Sequence, residues 1–461
     1  MKKMFTVYAV ILSIVIIAGC NMPAQKIELK EEPRQEVQEA PEETPEEAPV
    51  EEIEQNKKLT LMIYMAADND LETYALQNLK AMERSACDFD YIKVIVLLDR
   101  ADGYDETNGN WTDTRLFEVQ KDSSRSGMIK SKRLECSPLG LSSTDNTELD
   151  MANPNVLKTF IEFCRAEYEA EKYCLVIWGH GTGWRGVTVD DRSGSYMSVY
   201  DMGRALRGQG LCVIGFDTCF GGVIENVYEL KDCAEYTVAC PGVTPGGGWN
   251  YKDFLGSLLQ NDNSQQSQHE NPVLIIAQKM AQSSSVPVTI FHNENLSALM
   301  QAFEAFSHSL SQTIITTADK QSVFNRLFAL RSYSYSQYPC DKYIDIQSIA
   351  DFYSSDINVD VAQAAVNLKN QISRTIVSAD RNAGGATNAG GATNASGTSN
   401  TAGIGLHFIP LSSARTAATA HSSDYLKDSS RTDQCAFIKE SQWWVPTIGG
   451  NTGSLLDKLF Y

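Results

Sequence analysis

Apolar runs that alternate with helix-like segments fill the chain between residues 59 and 292. The runs lie within 59–65, 91–100, 174–181, 211–219, 236–242 and 286–292. Strands that are apolar at almost every position are typical of a parallel sheet buried on both faces, and the intervening helices supply the covering layers. The sequence therefore predicts an α/β fold, with a mostly parallel central sheet between two layers of helices.

Local signals predict a helix and two further strands. Residues 153–173 favour a helix that Asn153 caps and in which Pro154 occupies the first turn. Residues 114–119 are expected to form an exposed edge strand, and 402–410 a late strand that returns to the central sheet. In folds of this class, functional sites lie beyond the carboxyl ends of the parallel strands.

The first twenty residues have the pattern of an export signal. Two lysines precede an apolar run over 5–18, which is shorter than the roughly 20 residues of a membrane-spanning helix. Residues 17–20, Ile-Ala-Gly-Cys, resemble a bacterial lipobox, which implies cleavage before Cys20 and a lipid on its sulfur. We therefore expect 1–19 to be a lipoprotein signal peptide and the protein to be exported and anchored to the cell membrane or outer membrane. An uncleaved N-terminal anchor is the alternative.

Residues 20–57 are predicted to form a disordered tether. Within 26–57, twelve glutamates face four basic residues, which gives a net −8 out of the chain's −19. Such a segment buries too little apolar surface to offset the entropy of ordering it. The negative total also argues against a nucleic-acid partner. The folded domain is expected over 58–461, with a flexible loop rich in Gly, Ala, Asn and Thr at about 380–401.

Two of the predicted strands end in reactive, glycine-flanked side chains. Residues 179–181 are Gly-His-Gly, and 217–222 are Asp-Thr-Cys-Phe-Gly-Gly. If these strands are neighbours in a parallel sheet, His180 and Cys219 lie side by side at one edge. An imidazole there can take the thiol proton, and the N–H groups of Gly181 and Cys219 can bind an oxyanion. A buried apolar cysteine and a structural histidine are the alternatives, and the two strand ends by themselves leave catalytic and structural roles equally open.

Four motifs in this order resemble the clostripain-type cysteine peptidases (family C11), which share the caspase-like fold. They are "LMIYMAADNDLE", "WGHGTGW", "GFDTCFGG" and "PGGGW", within roughly 58–260. The resemblance implies a caspase-like α/β/α sandwich and a cysteine endopeptidase that acts on peptides or proteins. It also implies a catalytic dyad of His180 and Cys219, and places Asp217 at the floor of the S1 pocket, where a carboxylate pairs with Arg or Lys at P1.

One departure from the family weakens the predicted specificity. Relatives carry acidic residues just before the Pro-Gly-x-Gly-Trp segment, whereas residues 240–243 of this chain are Cys-Pro-Gly-Val. A second pocket carboxylate is therefore not expected. The preference for basic P1 residues is then weaker, or the pocket accepts another side chain.

Members of this family are often activated by cleaving themselves between the histidine and the cysteine. Residues 185–198 are polar and rich in turn formers, which suits a cleavable loop. The resemblance thus implies Arg192 as the cleavage site, with Arg185 second. An uncut surface turn is the alternative.

No metal site or other cofactor is predicted. Some family members need calcium, and the pairs Asp190 with Asp191 and Asp68 with Asp70 offer oxygen ligands. Asp-rich turns more often cap helices. Calcium is therefore an open alternative and not an expectation.

A binding protein is the competing hypothesis. A catalytically silent adhesin or pseudopeptidase would have the same fold, tether and repeat-containing loop. The presence of both His180 and Cys219 favours the enzyme. The chain has eleven cysteines, and nine remain when Cys20 and Cys219 are set aside. No disulfide pairing is predicted among these nine. Cys174 and Cys212 are interpreted as core residues.

Overall fold

The computed structural model describes residues 59–124, 127–258, 271–334, 342–377 and 403–408, with Phe437, Leu455 and Leu459. The predicted signal peptide, the tether with Cys20 and the loop near 380–401 lie outside these residues. Within the described part of the chain, no helix has both the length and the apolar character needed to cross a membrane.

Strands and helices alternate along the chain, as the apolar runs predicted. The strands are β1 Leu59–Ala67, β2 Ile92–Arg100, β3 Arg115–Glu118, β4 Lys132–Leu134, β5 Lys172–Trp178, β6 Gly186–Asp190, β7 Ser195–Ser198, β8 Val213–Asp217, β9 Tyr236–Ala239, β10 Thr289–His292, β11 Ser332–Ser334, β12 Lys342–Asp345, β13 Ile376–Val377 and β14 Gly405–Phe408. The helices are α1 Glu72–Glu83, α2 Pro154–Glu167, α3 Val199–Leu206, α4 Ile224–Glu229, α5 Tyr251–Ser257, α6 Pro272–Ser283, α7 Leu296–Gln312, α8 Thr317–Ala329, α9 Ile346–Tyr353 and α10 Val359–Thr375.

The centre of the fold is a sheet with the strand order β13-β10-β9-β8-β5-β1-β2-β3-β4. Strands β2, β1, β5, β8 and β9 are parallel, and every residue of β1 and β8 is buried. Side chains from α2, α3, α4 and α7 form the core on one face, and those from α1, α5 and α6 form the core on the other. The predicted α/β/α sandwich with a mostly parallel sheet is confirmed.

Helix α2 begins as its sequence predicts. The Asn153 side chain accepts a hydrogen bond from the backbone N–H of Asn155, and Pro154 occupies the first helical position. This cap satisfies a backbone donor that the first turn leaves without a partner. The helix then buries Phe160 and Ile161 against the sheet, which stabilises the fold by about 2 kcal/mol for each side chain.

Two predicted strand positions are wrong. Strand β3 is not at the edge of the sheet, because β4 pairs with its outer side. The sequence did not predict β4, because its three residues, Lys132–Leu134, lack the apolar pattern of a strand. The predicted late strand is β14, which pairs with β12 in a separate three-stranded sheet and touches the rest of the fold through a bridge from Gly405 to Val223. Pairing between distant segments is not encoded in local apolar patterns, so the sequence could not place it.

The sixth apolar run also differs in direction, since β10 is antiparallel to β9. Helix α5 leaves the carboxyl edge of the sheet, and α6 returns the chain to that edge, where Ser284 bridges to Trp249. The next strand must therefore run back the opposite way. A single helix between these strands would have given the predicted parallel crossover.

Candidate active site

The strands that carry the predicted catalytic residues are neighbours. Trp178, the last residue of β5, pairs with Asp217, the last residue of β8, and the N–H of Gly179 donates to the Asp217 carbonyl at 3.4 Å. A Cβ atom on Gly181 would lie 2.2 Å from the Cys219 carbonyl oxygen, so only glycine allows this approach. The structure thus brings the segments of His180 and Cys219 together at one edge of the sheet.

The His180 ring is oriented by an aspartate from a third strand end. Its Nε2 lies 2.7 Å from Oδ1 of Asp70, which follows β1. The His180 backbone is held as well, because its carbonyl accepts a hydrogen bond of 3.0 Å from the N–H of Thr188. His180 is therefore held at Nε2 of its ring and at its backbone carbonyl, while the ring remains partly exposed.

The Cys219 thiol contacts the loop that follows β9. Its Sγ lies 3.5 Å from the Thr244 carbonyl oxygen, to which it donates, and 3.4 Å from the Thr244 nitrogen. Burial raises the pKa of this thiol, although the Thr244 N–H partly opposes the effect. Within the described residues, no hydrogen bond joins the side chains of Cys219 and His180. The thiol therefore stays protonated until a base approaches it.

A strained turn presents Cys219. Phe220 has a φ of 53°, in the left-handed region that costs a non-glycine residue about 1–2 kcal/mol. Its N–H donates to the Gly242 carbonyl at 2.7 Å, and its ring stacks on Tyr343 with the centroids 5.0 Å apart. The stretch 240–243 thus supports the turn.

Two backbone N–H groups at this edge have no acceptor among the residues that the structure describes. Within the described residues, neither the N–H of Gly181 nor that of Cys219 donates a hydrogen bond. Gly181 packs closely against the Cys219 backbone, so the two donors belong to adjoining segments. Free donors beside a thiol have the chemistry needed to bind a negatively charged oxygen.

Asp217 is buried on the opposite face of the sheet from Phe216. Its Oδ2 accepts hydrogen bonds of 3.0 Å from the Trp249 N–H and from the Tyr251 hydroxyl, while Oδ1 has no partner in the structure. Burial raises the pKa of this carboxyl to about 7. Gly248 has a φ of 61°, and a Cβ there would lie 2.4 Å from Oδ2, so the glycine covers the carboxylate. It also lines a cavity of ≈510 Å³.

Arg192 occupies the turn of the β6–β7 hairpin. Residues 191–194 are exposed, whereas Arg185 is half-buried in a short 3-10 helix, Gly183–Arg185. The Arg192 guanidinium lies 2.6 Å from a carboxylate oxygen of Glu148, and the backbone N–H of Arg192 donates to Oδ2 of Asp68 at 3.0 Å. The turn is thus accessible but fastened to the body of the protein.

Several of the carboxylates considered for calcium have other partners in the structure. Asp70 contacts His180, and Asp190 accepts hydrogen bonds from the N–H groups of Met151 and Ser193. A different set comes within 4.8 Å of one another, namely Asp68, Asp99 and Glu148. Each of these residues brings one oxygen to the cluster, which makes three against the roughly six to eight that calcium takes, and Arg192 already pairs with Glu148.

Three residues at this edge were not identified from the sequence. Asp70 lies in the motif "LMIYMAADNDLE", but the sequence suggested it only as a calcium ligand. Thr244, which contacts the thiol, has no distinguishing pattern. Tyr343 donates to the Thr182 carbonyl at 3.3 Å from a separate sheet, so only the tertiary structure brings it here.

The model of the clostripain family, Peptidase C11, matches residues 63–446. The chain belongs to the clostripain family. Clostripain from Hathewaya histolytica is 28% identical over 230 residues, which cover 44% of this chain and 43% of that protein. The match therefore spans less than half the length of this curated relative.

Two solved structures of clostripain-family proteases have the same fold. A secreted C11 cysteine protease from Bacteroides thetaiotaomicron, in complex with an irreversible peptide inhibitor, superposes with a TM-score of 0.54 at 18% identity, covering 81% of this chain and 98% of that one. An inactive zymogen C11 protease from Parabacteroides distasonis gives a TM-score of 0.54 at 20% identity, covering 79% and 95%. At these identities the likeness establishes the caspase-like fold.

Proposed function

We propose that this chain is an exported, lipid-anchored cysteine endopeptidase in which His180 and Cys219 form the catalytic dyad. The observation that carries the proposal is the convergence of the two segments at the carboxyl ends of neighbouring strands, where Gly181 packs against the Cys219 backbone. Membership of the clostripain family supports the same chemistry.

The reaction needs one proton carrier and one nucleophile. His180 takes the proton of Cys219, and the thiolate forms a bond to the carbonyl carbon while that carbon's π electrons move to oxygen. The N–H groups of Gly181 and Cys219 bind the resulting oxyanion. Its collapse breaks the C–N bond, and the imidazolium protonates the leaving amine. Water, deprotonated by His180, then hydrolyses the thioester and restores the thiol.

Asp217 is proposed to select a basic side chain at P1. Its buried Oδ1 has no partner in the structure, and an Arg or Lys of the substrate would supply one. A neutral P1 side chain would leave that oxygen unpaired, which costs free energy in a buried site.

The uncut chain is proposed to be a precursor that cleavage after Arg192 activates. The exposed turn supports this assignment over Arg185, and the raised pKa of Cys219 agrees with a thiol that is not yet activated. The ion pair with Glu148 has to open before Arg192 reaches an active site. We expect Arg192→Ala to stay a single chain on denaturing gels while Arg185→Ala is still cut. Equal cutting of both would contradict the assignment.

Export is supported by the signal-like N-terminus and by the secreted relative. Cys20 is the proposed lipidation site, and residues 21–57 would hold the peptidase domain away from the membrane. Mass spectrometry of the N-terminal peptide from membrane fractions tests this directly. An unmodified Cys20 would contradict the anchor without affecting the peptidase proposal.

The test of the peptidase itself is hydrolysis of fluorogenic peptides with Arg, Lys or a neutral residue at P1. We expect Cys219→Ala and His180→Ala to lose activity by about 10³-fold or more. Cys212→Ala is the matched control, because Cys212 is also a half-buried cysteine but lies at the other end of β8. If Cys219→Ala matched the wild type, the peptidase proposal would be wrong.

One observation favours a binding protein as the second candidate. The His180 and Cys219 side chains bond to Asp70 and Thr244 instead of to each other. Catalytic hydrogen bonds often tighten only when substrate binds, so this arrangement also fits an enzyme. A wild-type chain that an added Arg-specific protease has cut after Arg192, and that still hydrolyses none of the peptides, would favour the binding protein.

A further inference from the structure

The contact between His180 and Asp70 joins two neighbouring strands of the sheet. Strand β1 lies beside β5 with Met65 paired to Trp178, so the residues that follow both strands meet at one edge. Oδ1 of Asp70 and Nε2 of His180 are 2.7 Å apart, the length of a charge-assisted hydrogen bond. The catalytic edge therefore carries a carboxylate that a Cys-His dyad does not include.

The loop that holds Asp70 is braced by the residue before it. The Asn69 side-chain amide donates to the carbonyls of Ala66, at 3.2 Å, and Val189, at 2.9 Å. Its oxygen accepts from the N–H of Leu71 at 3.0 Å. The Asp70 side chain is exposed, but its backbone is thus pinned on both sides, so the carboxylate projects from a fixed point beside the ring.

We propose that Asp70 is a positioning residue for His180, and this inference rests on the proposed dyad. The carboxylate accepts the N–H of Nε2, which fixes the neutral imidazole in the tautomer whose lone pair is on Nδ1. Nδ1 is then the atom that takes the Cys219 proton and later returns it to the leaving amine. When the imidazolium forms, the Asp70 carboxylate stabilises its charge.

Other charged and titratable groups on the elements around His180 do not fill this place. They are Asp68 in the loop after β1, Asp190, Asp191, Arg192 and Tyr196 on the hairpin, Arg185 in the 3-10 helix, and Asp217 and Cys219 at the end of β8. Asp68 and Asp190 accept backbone N–H groups of the hairpin, and Asp217 is buried on the Trp249 side. Among the described residues, Asp70 is the side chain hydrogen-bonded to the ring.

The exposure of Asp70 limits the size of its effect. Its side chain is 67% exposed, so water screens the attraction to the imidazolium. A buried carboxylate in this role can be worth about 10⁴-fold in rate. For this exposed one we expect a loss of about 10-fold in kcat on removal, with KM little changed.

The test compares Asp70→Asn, Asp70→Ala and Asp70→Glu with Asp102→Asn. Asp102 is the control because it is an exposed aspartate in the loop after β2, at the same edge of the sheet. We expect Asp70→Asn and Asp70→Ala to lose kcat about 10-fold, Asp70→Glu to recover part of it, and Asp102→Asn to match the wild type. Equal kcat in Asp70→Ala and the wild type would overturn the proposal.

The pH dependence separates positioning from a merely structural role. The pH profile of kcat/KM for one fluorogenic peptide reports the range in which thiolate and imidazolium exist together. The alkaline limit of this range should lie at lower pH in Asp70→Asn, because the carboxylate no longer stabilises the imidazolium. An unchanged profile together with reduced kcat would overturn the positioning role.

The tautomer is tested by nitrogen NMR of the chain labelled in its histidine rings, with His180→Gln used to assign the signal. We expect the neutral wild-type ring to carry its proton on Nε2 and the Asp70→Ala ring to lose that preference. A wild-type ring protonated on Nδ1 would overturn the proposal. If Cys219→Ala kept full activity, the proposed dyad would be wrong. The NMR result would still decide independently whether Asp70 sets the tautomer of His180.

Discussion

At the scale of single residues, the active edge combines donors and acids whose roles depend on burial. Cys219 is a thiol that its surroundings keep protonated, and Asp217 is a carboxyl whose pKa burial raises to about 7. Gly181 allows two backbone segments to approach more closely than any side chain would permit. The protonation or packing of each of these residues depends on its neighbours more than on its residue type.

The proposed selection of basic side chains by Asp217 should therefore depend on pH. Below about 7 the Asp217 carboxyl is protonated and cannot pair with a cation, so kcat/KM for an Arg substrate should fall relative to a Leu substrate. The ratio should drop by up to about 10-fold for each pH unit below the pKa. The ratio is measured from pH 5.5 to 8.5, which cancels the pH dependence that both substrates share.

Asp217→Asn should abolish both the preference and its pH dependence. The amide keeps the size of the carboxyl but carries no charge. If the variant retained a pH-dependent preference for Arg, another carboxylate would be responsible. Asp253 lines the adjacent cavity and is the next residue to replace.

At the scale of elements, β5 and β8 bring side chains together at both ends. Their carboxyl ends lead to His180 and Cys219, and near their amino ends the sulfurs of Cys174 and Cys212 lie 3.1 Å apart. Cys174 is buried, whereas Cys212 is half-buried and reachable from solvent. The hydrogen bond from Cys174 lowers the pKa of Cys212, which makes Cys212 the better nucleophile.

In an oxidising compartment we expect these two thiols to form a disulfide. The Cys212 thiolate attacks an oxidised dithiol carrier, Cys174 then displaces the carrier's sulfur, and the carrier leaves with two electrons. The loop closed between them spans 38 positions, for which a disulfide is worth about 3–4 kcal/mol. Peptide mapping without reductant should detect the linked peptides, and dithiothreitol should lower the melting temperature of the wild type but not of Cys212→Ser.

The contrasting outcome is that Cys174 and Cys212 remain free thiols. If both peptides carried alkylated thiols after air oxidation, the pair would be two core cysteines, as the sequence alone suggested. In either case, the activity assays require that the Cys219 thiol has not been oxidised.

At the scale of the whole molecule, burial of carboxyl groups sets the dependence of stability on pH. Burial raises the pKa of Asp68, Asp99, Asp217, Glu148 and Asp345, with Glu148 and Asp217 both at about 7. The folded state therefore binds more protons than the unfolded state between about pH 4 and 7. Their contribution to stability is fully present below the unfolded pKa values and is lost as pH rises through the folded ones.

We therefore expect the melting temperature to fall by about 2–5 °C between pH 6 and pH 8. Differential scanning fluorimetry in a series of buffers at constant ionic strength measures this slope. Asp99→Asn should reduce the slope and raise the melting temperature at pH 8, because it removes a buried charge. Asp102→Asn, an exposed control, should leave the slope unchanged. A melting temperature that rises over this range would contradict the assignment.

The sequence by itself determined the fold class, the parallel centre of the sheet and the family. Continuous apolar runs are local features, and burial on both faces leaves few other folds for them. The glycine-flanked His180 and Cys219 were also identifiable, because ends of parallel strands lie at one edge of a sheet.

Only the tertiary structure decided which distant groups complete that edge. It placed Asp70 on the histidine ring, Thr244 on the thiol and Tyr343 beneath the strained turn, from loops and a second sheet that no periodicity relates. It moved the late strand away from the central sheet and reversed the sixth one. Hydrogen bonds and strand pairings between remote segments depend on the path of the whole chain in three dimensions. Local sequence patterns do not specify that path.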